Sequence, residues 1–186
     1  MSTAAIKPGP STSTWNIDPV HSTAQFKVKH MMISNVKGEF TSLSGTLQLH
    51  DSDLALSKVT ASIDAGSIST REPQRDAHLK SADFLDVEKF PKLTFVSTQI
   101  TRKGAEEFAV TGDLTIHGVT RPVTFDFEEL SAPQKDPWGN TRIGLSGTTR
   151  INRKDFGLLW NTVLETGGFL VGDDITITLD VQFVKA

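Results

Sequence analysis

Apolar and polar residues alternate along most of this chain. In residues 24–30, Ala24, Phe26 and Val28 fall on one face, and Gln25, Lys27 and Lys29 on the other. Val123, Phe125 and Phe127 alternate with Thr124 and Asp126. Near the C-terminus Ile175, Ile177, Leu179, Val181 and Phe183 alternate with Thr176, Thr178, Asp180 and Gln182. A period of two is the signature of a strand with one face turned inward and the other toward water. Turn residues at short intervals set off further strands near 42–49, 58–64, 92–101, 107–116 and 141–152, a rhythm that predicts an all-β sandwich or barrel. Gly144 and Gly147 are expected to mark a bend or bulge within the strand at 141–152.

Two segments depart from this rhythm. Residues 72–80 are polar apart from Ala77 and Leu79, and read as a short helix between strands. Residues 31–35 are expected to form a helical turn. Residues 1–13 are Ser, Thr, Pro, Ala and Gly with little to bury and read as a flexible tail, which leaves 14–186 as one folded domain. About eight antiparallel strands must deal with their edges, and closure into a barrel removes them. Periodicity leaves three outcomes open: a filled barrel, a hollow barrel and a sandwich. Packed interiors are the norm, so without further information a solid core is favoured.

Composition narrows the function classes. The 19 basic and 22 acidic residues are interspersed, with a net charge of −3, which is not the footprint of a nucleic-acid binder. There is no cysteine, so disulfides, thiolate metal sites and Cys nucleophiles are excluded. His21, His30, His50, His78 and His117 are scattered without metal-ligand spacing, so neither a metal nor a cofactor is expected. No GxSxG, P-loop or GxGxxG string occurs. Asp173 and Asp174, as strand neighbours, point to opposite faces and cannot act together. The opening MSTAAIKPGPSTST lacks the apolar core of a signal peptide, and no stretch is long enough to span a membrane as a helix, so a cytoplasmic protein without an integral membrane segment is expected.

Several strings carry a resemblance. WNIDPVHS at 15–22 leads into FKVKH at 26–30; RDAHLKSADFLD at 75–86 is followed by FPKLTF at 90–95. GDLTIHGVTRPVTF at 112–125, DPWGNTRIG at 136–144, INRKDFG at 151–157 and GGFLVGDDITITLDV at 167–181 follow in order. Together they resemble the YceI-like family of polyisoprenoid-binding proteins over about residues 14–185. The resemblance implies an elongated, eight-stranded, antiparallel, lipocalin-like barrel. Its apolar lumen would hold a long isoprenoid chain, such as a polyprenyl phosphate or a quinone tail, and the protein would bind and carry or store that lipid without acting as an enzyme. Members of the family are often exported.

On that reading the inward residues Phe26, Val28, Phe40, Phe95, Phe125, Phe127, Ile177, Leu179 and Phe183 would wall the lumen. The 11 Phe and absence of Tyr suit a dry wall, since Phe brings no hydroxyl to satisfy. His30, in phase with Phe26 and Val28, would reach the lumen. Arg71, Arg75, Asp76, His78, Lys80, Ser81 and Asp83 crowd one short stretch. They read either as a mouth where Arg75, His78 and Ser81 meet a ligand head group, or as a solvated helix in which Asp76 or Asp83 holds Arg75. Phe84 joins the ligand-facing set. Asp155 is expected to close a turn, with Phe156 and Trp160 plugging or lining one end of the barrel, and Trp138 to anchor a loop. His117 in Ile-His-Gly-Val reads as a turn. Two rivals stand beside the lipid carrier: an enzyme using the same lumen, with His30, His78 and Arg75 as acid–base candidates, and a stress-related barrel with a filled core. A homodimer is the expected assembly.

Overall fold

The computed structural model describes residues 11–128 and 130–186. The strands are β1 (Thr12–Ile17), β2 (Thr23–His30), β3 (Ser34–Phe40), β4 (Leu43–His50), β5 (Lys58–Asp64) and β6 (Ile68–Ser69). After the helix α1 (Pro73–Lys80) come β7 (Lys92–Arg102), β8 (Phe108–Ile116), β9 (Val119–Glu128), β10 (Gln134–Lys135), β11 (Thr141–Asn152) and β12 (Val171–Lys185). All pairings are antiparallel. They close a ring of eight, β1–β4–β5–β7–β8–β9–β11–β12, with β12 returning to β1. β2 continues along the same side of β12 that β1 occupies, pairing with residues 171–180 where β1 pairs with 183–185. The interruption between them carries Pro19, which has no N–H to give a ladder. The β2–β3 hairpin, with β6 on its outer edge, therefore extends one end of the barrel.

The alternation read from the sequence has its expected partners: Val123, Phe125, Phe127, Val181 and Phe183 are all buried. The bland composition of α1 is compensated at its start, where the Glu72 carboxylate accepts the N–H groups of Gln74 and Arg75 and Pro73 opens the first turn. His117 and Gly118 both have positive φ and form the two-residue connection between β8 and β9, the backbone a tight hairpin demands.

Four local expectations are corrected. Residues 31–35 are not a helical turn: Met31 and Met32 take positive φ at the tip of the β2–β3 hairpin, and β3 begins at Ser34. In the tail expected over 1–13, residues 1–10 lie outside the described residues. Thr12 and Ser13 belong to β1, opposite His50 and Leu49, because ladder bonds need backbone groups and not apolar side chains. The β11–β12 ladder passes Gly144 and Gly147 without a register shift; a Cβ on Gly147 would stand 2.3 Å from the Phe127 ring, so this glycine makes room for an inward aromatic. Trp138 is 79 % exposed and anchors nothing. Its loop is tied instead by Asp136, which accepts from Trp138 N–H, from Asn140 and, at 2.7 Å, from Arg142 Nε. Arg142 also pairs with Asp18 and so joins this loop to the turn after β1.

Candidate functional site

The barrel encloses a cavity of about 250 Å³ whose walls are almost wholly hydrocarbon. It is built from the inward phase of every strand in the ring. Along β12 alone the wall runs from Val171 to Phe183, thirteen residues or roughly 40 Å of strand. The decisive observation is exposure. Phe26, Val28, Phe40, Phe95, Ile175, Ile177 and Leu179 point inward yet are only half-buried. In a filled core such residues have neighbours on all sides; here the remaining surface faces the void. All nine residues assigned to the inward wall from sequence border this cavity.

The two ends differ. At one, Trp15 packs with Leu47, Ile143, Val181 and Phe183 in a dense cluster, and its indole N–H donates to Ser13 Oγ at 2.8 Å. At the other, the wall is completed by Leu79, Phe84 and Leu85 from α1 and the turns that follow it, and by Leu158 and Val171. Phe84 faces the cavity on one side. Its other neighbours are His78 at 5.0 Å and Trp160 at 5.3 Å between ring centroids, and His78 stands edge-on to Trp160 at 4.6 Å. Two stretches read separately in the sequence, around 78–84 and around 160, thus meet as one aromatic cover.

Eight of the fourteen candidate site residues line the cavity: Phe26, Val28, Phe40, Phe84, Phe95, Phe125, Ile177 and Leu179. Six stand outside its wall. His30 lies at the end of β2, paired with Val171 and Ser34. Arg75 turns back onto the chain before its helix, donating from Nε to Thr70 Oγ1 at 2.7 Å and from Nη2 to the Thr70 carbonyl at 2.9 Å. Neither Asp76 nor Asp83 holds Arg75: Asp76 accepts from the Thr70 N–H and hydroxyl, and Asp83 sits 2.8 Å from His78 Nε2. Ser81 ends the helix, its hydroxyl donating to the His78 carbonyl at 2.6 Å. Phe156 is buried behind the wall, and Trp160 lies over Phe84. Asn152, and not Asp155, closes the Arg153–Phe156 turn by accepting the Lys154 N–H. Arg75, Asp76, His78, Ser81 and Asp83 therefore bond to Thr70, to one another or to the end of α1, and none of them lines the lumen.

Arg153, which the sequence offers only as part of a polar and aromatic cluster with Asp155, Trp160 and Glu165, was not among the candidate site residues. Its side chain is almost fully buried and forms part of the cavity wall. Nε donates to the Gly172 carbonyl at 2.8 Å, and Nη1 to the carbonyls of Leu158 and Trp160 at 2.7 and 2.9 Å. Nη2 has only longer neighbours, the Val171 carbonyl at 3.5 Å and Asp173 Oδ1 at 3.7 Å. Burial pushes its pKa down and Asp173 pulls it back; a guanidinium remains charged through such a shift. A signal existed: Arg153 is in phase with inward Ile151 at the end of β11. Among the described residues no cluster of His, Asp and Glu is arranged to hold a metal ion, and no helix is long and apolar enough to cross a membrane.

Comparison with known proteins agrees with this architecture. A UPF0312 protein of Staphylococcus aureus is 37 % identical over 172 residues, covering 92 % of this chain and 97 % of the relative. One from Vibrio cholerae is 41 % identical over 138 residues, 74 % of this chain and 72 % of the relative. Among solved structures, a YCEI protein of Campylobacter jejuni is 31 % identical and superposes with a TM-score of 0.71 over 85 % of this chain and 90 % of its own. A polyisoprenoid binding domain from Saccharophagus degradans, 15 % identical, shares the fold with a TM-score of 0.66 over 92 % of this chain and 98 % of its own. The model of the YceI-like domain matches residues 15–183, and the chain belongs to the YceI-like domain family.

Proposed function

We propose that the barrel binds a long-chain isoprenoid lipid, such as a polyprenyl phosphate or a quinone tail, and carries or stores it without chemical conversion. One observation carries this reading: a cavity along the barrel whose inward apolar residues are left half-buried. Such a wall gains from any long hydrocarbon. At ~0.8 kcal/mol per buried methylene, about ten methylenes contribute ~8 kcal/mol, the free energy of a micromolar complex. Binding of this kind selects for length and girth. The fold is shared with a domain that binds polyisoprenoid, which supports the ligand class. The polar residues along the wall, Gln25, Thr94 and Arg153, do not form an acid–base pair, which supports binding over catalysis.

Organic extraction of the purified protein followed by mass spectrometry is expected to release an isoprenoid lipid. The stripped protein is expected to take up polyprenyl phosphate or a long-tailed quinone at about one per barrel. A protein that is empty however prepared, and that takes up neither, would overturn the proposal.

A further inference from the structure

Six large apolar side chains crowd the end of the barrel that carries the aromatic cover, and all are open to solvent. Met31, Met32 and Ile33 form the tip of the β2–β3 hairpin and are 42 %, 66 % and 79 % exposed. Leu159, Val163 and Phe169 belong to the neighbouring 157–170 segment and are 64 %, 71 % and 52 % exposed. That segment folds on itself through the Val163–Phe169 bridge and the Leu170 N–H to Thr162 carbonyl bond. The two tips touch: the Met31 N–H donates to the Leu170 carbonyl at 2.8 Å, and a Cβ on Gly168 would stand 2.4 Å from the Met32 sulfur. They form one surface. Contiguous exposed apolar patches of this kind mark contacts with proteins or membranes.

The backbone makes the patch more pointed. Met31 and Met32 have φ of 52° and 62°. A hairpin turn with two positive φ values is the place for Asn-Gly, and two unbranched apolar side chains there cost stability. The turn requires the positive φ values but not methionine, and two apolar side chains kept at such strained positions are a reason to look for a function. Just behind the tip, the outer face of the hairpin carries Lys27, Lys29 and Lys37, all exposed. Lys27 stands directly opposite Lys37 in the ladder, a like-charge pair that is unfavourable by itself. None of the ion pairs among the described residues uses these three lysines. The nearby Asp173 and Asp174 are engaged by Lys154 and Arg150. Glu165, in the second tip, is the acidic residue of the patch. The patch is also continuous with the cavity: Val171, which borders the void, pairs with His30, the residue before Met31.

Apolar tips with a basic flank match an anionic bilayer, where the tips enter the head-group boundary and the lysines meet lipid phosphates. We propose that Met31, Met32, Ile33, Val163 and Phe169 dock this end of the barrel onto an anionic phospholipid surface, with Lys27, Lys29 and Lys37 facing the head groups. The purpose of the contact, exchange of cargo with the bilayer, rests on the proposed lipid binding; its geometry does not.

The test is co-sedimentation of the full chain with vesicles of phosphatidylcholine alone or mixed with phosphatidylglycerol. Binding is expected to the mixed vesicles, to weaken as salt rises, and to fall about tenfold or more in the double variant Ile33→Asp, Val163→Asp. The variant Met31→Asn, Met32→Gly suits the turn better, so it is expected to unfold no earlier in urea and still to lose affinity. Replacing Lys27, Lys29 and Lys37 by Gln is expected to remove the preference for anionic vesicles. Absence of binding to either vesicle, or binding that all three variants retain, would overturn the proposal. So would a concentration-dependent dimer abolished by Ile33→Asp, Val163→Asp without any vesicle binding, since a second copy would then be the occupant. Extraction of lipid from the same preparations, and uptake of added polyprenyl phosphate or long-tailed quinone, separate the two ideas: cargo without docking removes this one, and docking with neither cargo nor uptake removes the lipid-carrier reading.

Discussion

Whether the core is hollow in solution is tested by filling it. Ala61 lies on β5 opposite Phe95, lines the cavity and is only half-buried, so Ala61→Phe sends a phenyl ring into the void. In a close-packed core such an insertion costs about 1–3 kcal/mol. Here the ring enters a cavity of about 250 Å³, and burying it contributes up to about 1.5–3 kcal/mol. The lipid-free variant is therefore expected to be as stable as the parent or more so. The ring takes the place of about four methylenes of a bound chain, worth ~3 kcal/mol at ~0.8 each. Affinity for a polyprenyl phosphate is thus expected to fall about a hundredfold. Urea unfolding of stripped protein reads the first quantity and lipid titration the second. Loss of 2 kcal/mol or more of stability with uptake unchanged would mean that the interior is packed and the lipid sits elsewhere.

Two further outcomes follow from the polar contacts. Arg153→Leu removes the donors to the Leu158, Trp160 and Gly172 carbonyls, and unsatisfied buried groups cost about 1–3 kcal/mol each, so a loss of at least ~3 kcal/mol is expected from the urea midpoint; a loss under 1 kcal/mol would show that water replaces the guanidinium. Hydrogen bonds from Arg142 hold the Asp18 carboxyl well below the usual carboxylate range and lower Asp136 to about 2. Because both folded-state values lie below the ordinary 3.8, their stabilisation is complete above that pH and is lost as pH falls, through about 2 for Asp136 and lower still for Asp18. Stability measured across this acid range is expected to slope downward in the parent and to flatten in Arg142→Gln, and an unchanged slope in the variant would rule out this pair as the cause.

The inward wall was legible because a strand has only two faces. Once Phe26 and Val28 share a face with inward partners, closure into a barrel leaves them no other place, and the same holds for Phe125, Ile177 and Leu179. Arg75, His78 and Ser81 were less legible. Their density suggested a ligand, but Thr70, Asp83 and the end of α1 absorb their donors and acceptors, and such local satisfaction is invisible in composition. The place of Arg153 in the wall was hidden for the opposite reason: its partners are backbone carbonyls, which carry no sequence signal until the 157–172 segment folds over it.

By itself the sequence determined that the chain is β-structured, which residues face inward, and through its ordered strings the family. The tertiary structure decided that the inward residues, though they touch along the wall, leave a space between them. A period of two states the side of the sheet on which a residue lies. It does not state the distance across the barrel, which depends on how β1 to β12 pair and close. That distance leaves Phe26, Phe95 and Leu179 packed on one side and half-buried around a void on the other. The same closure sets the two apolar tips side by side, because residues 31–33 and 157–170, far apart in the chain, are neighbours only through the β2–β12 ladder.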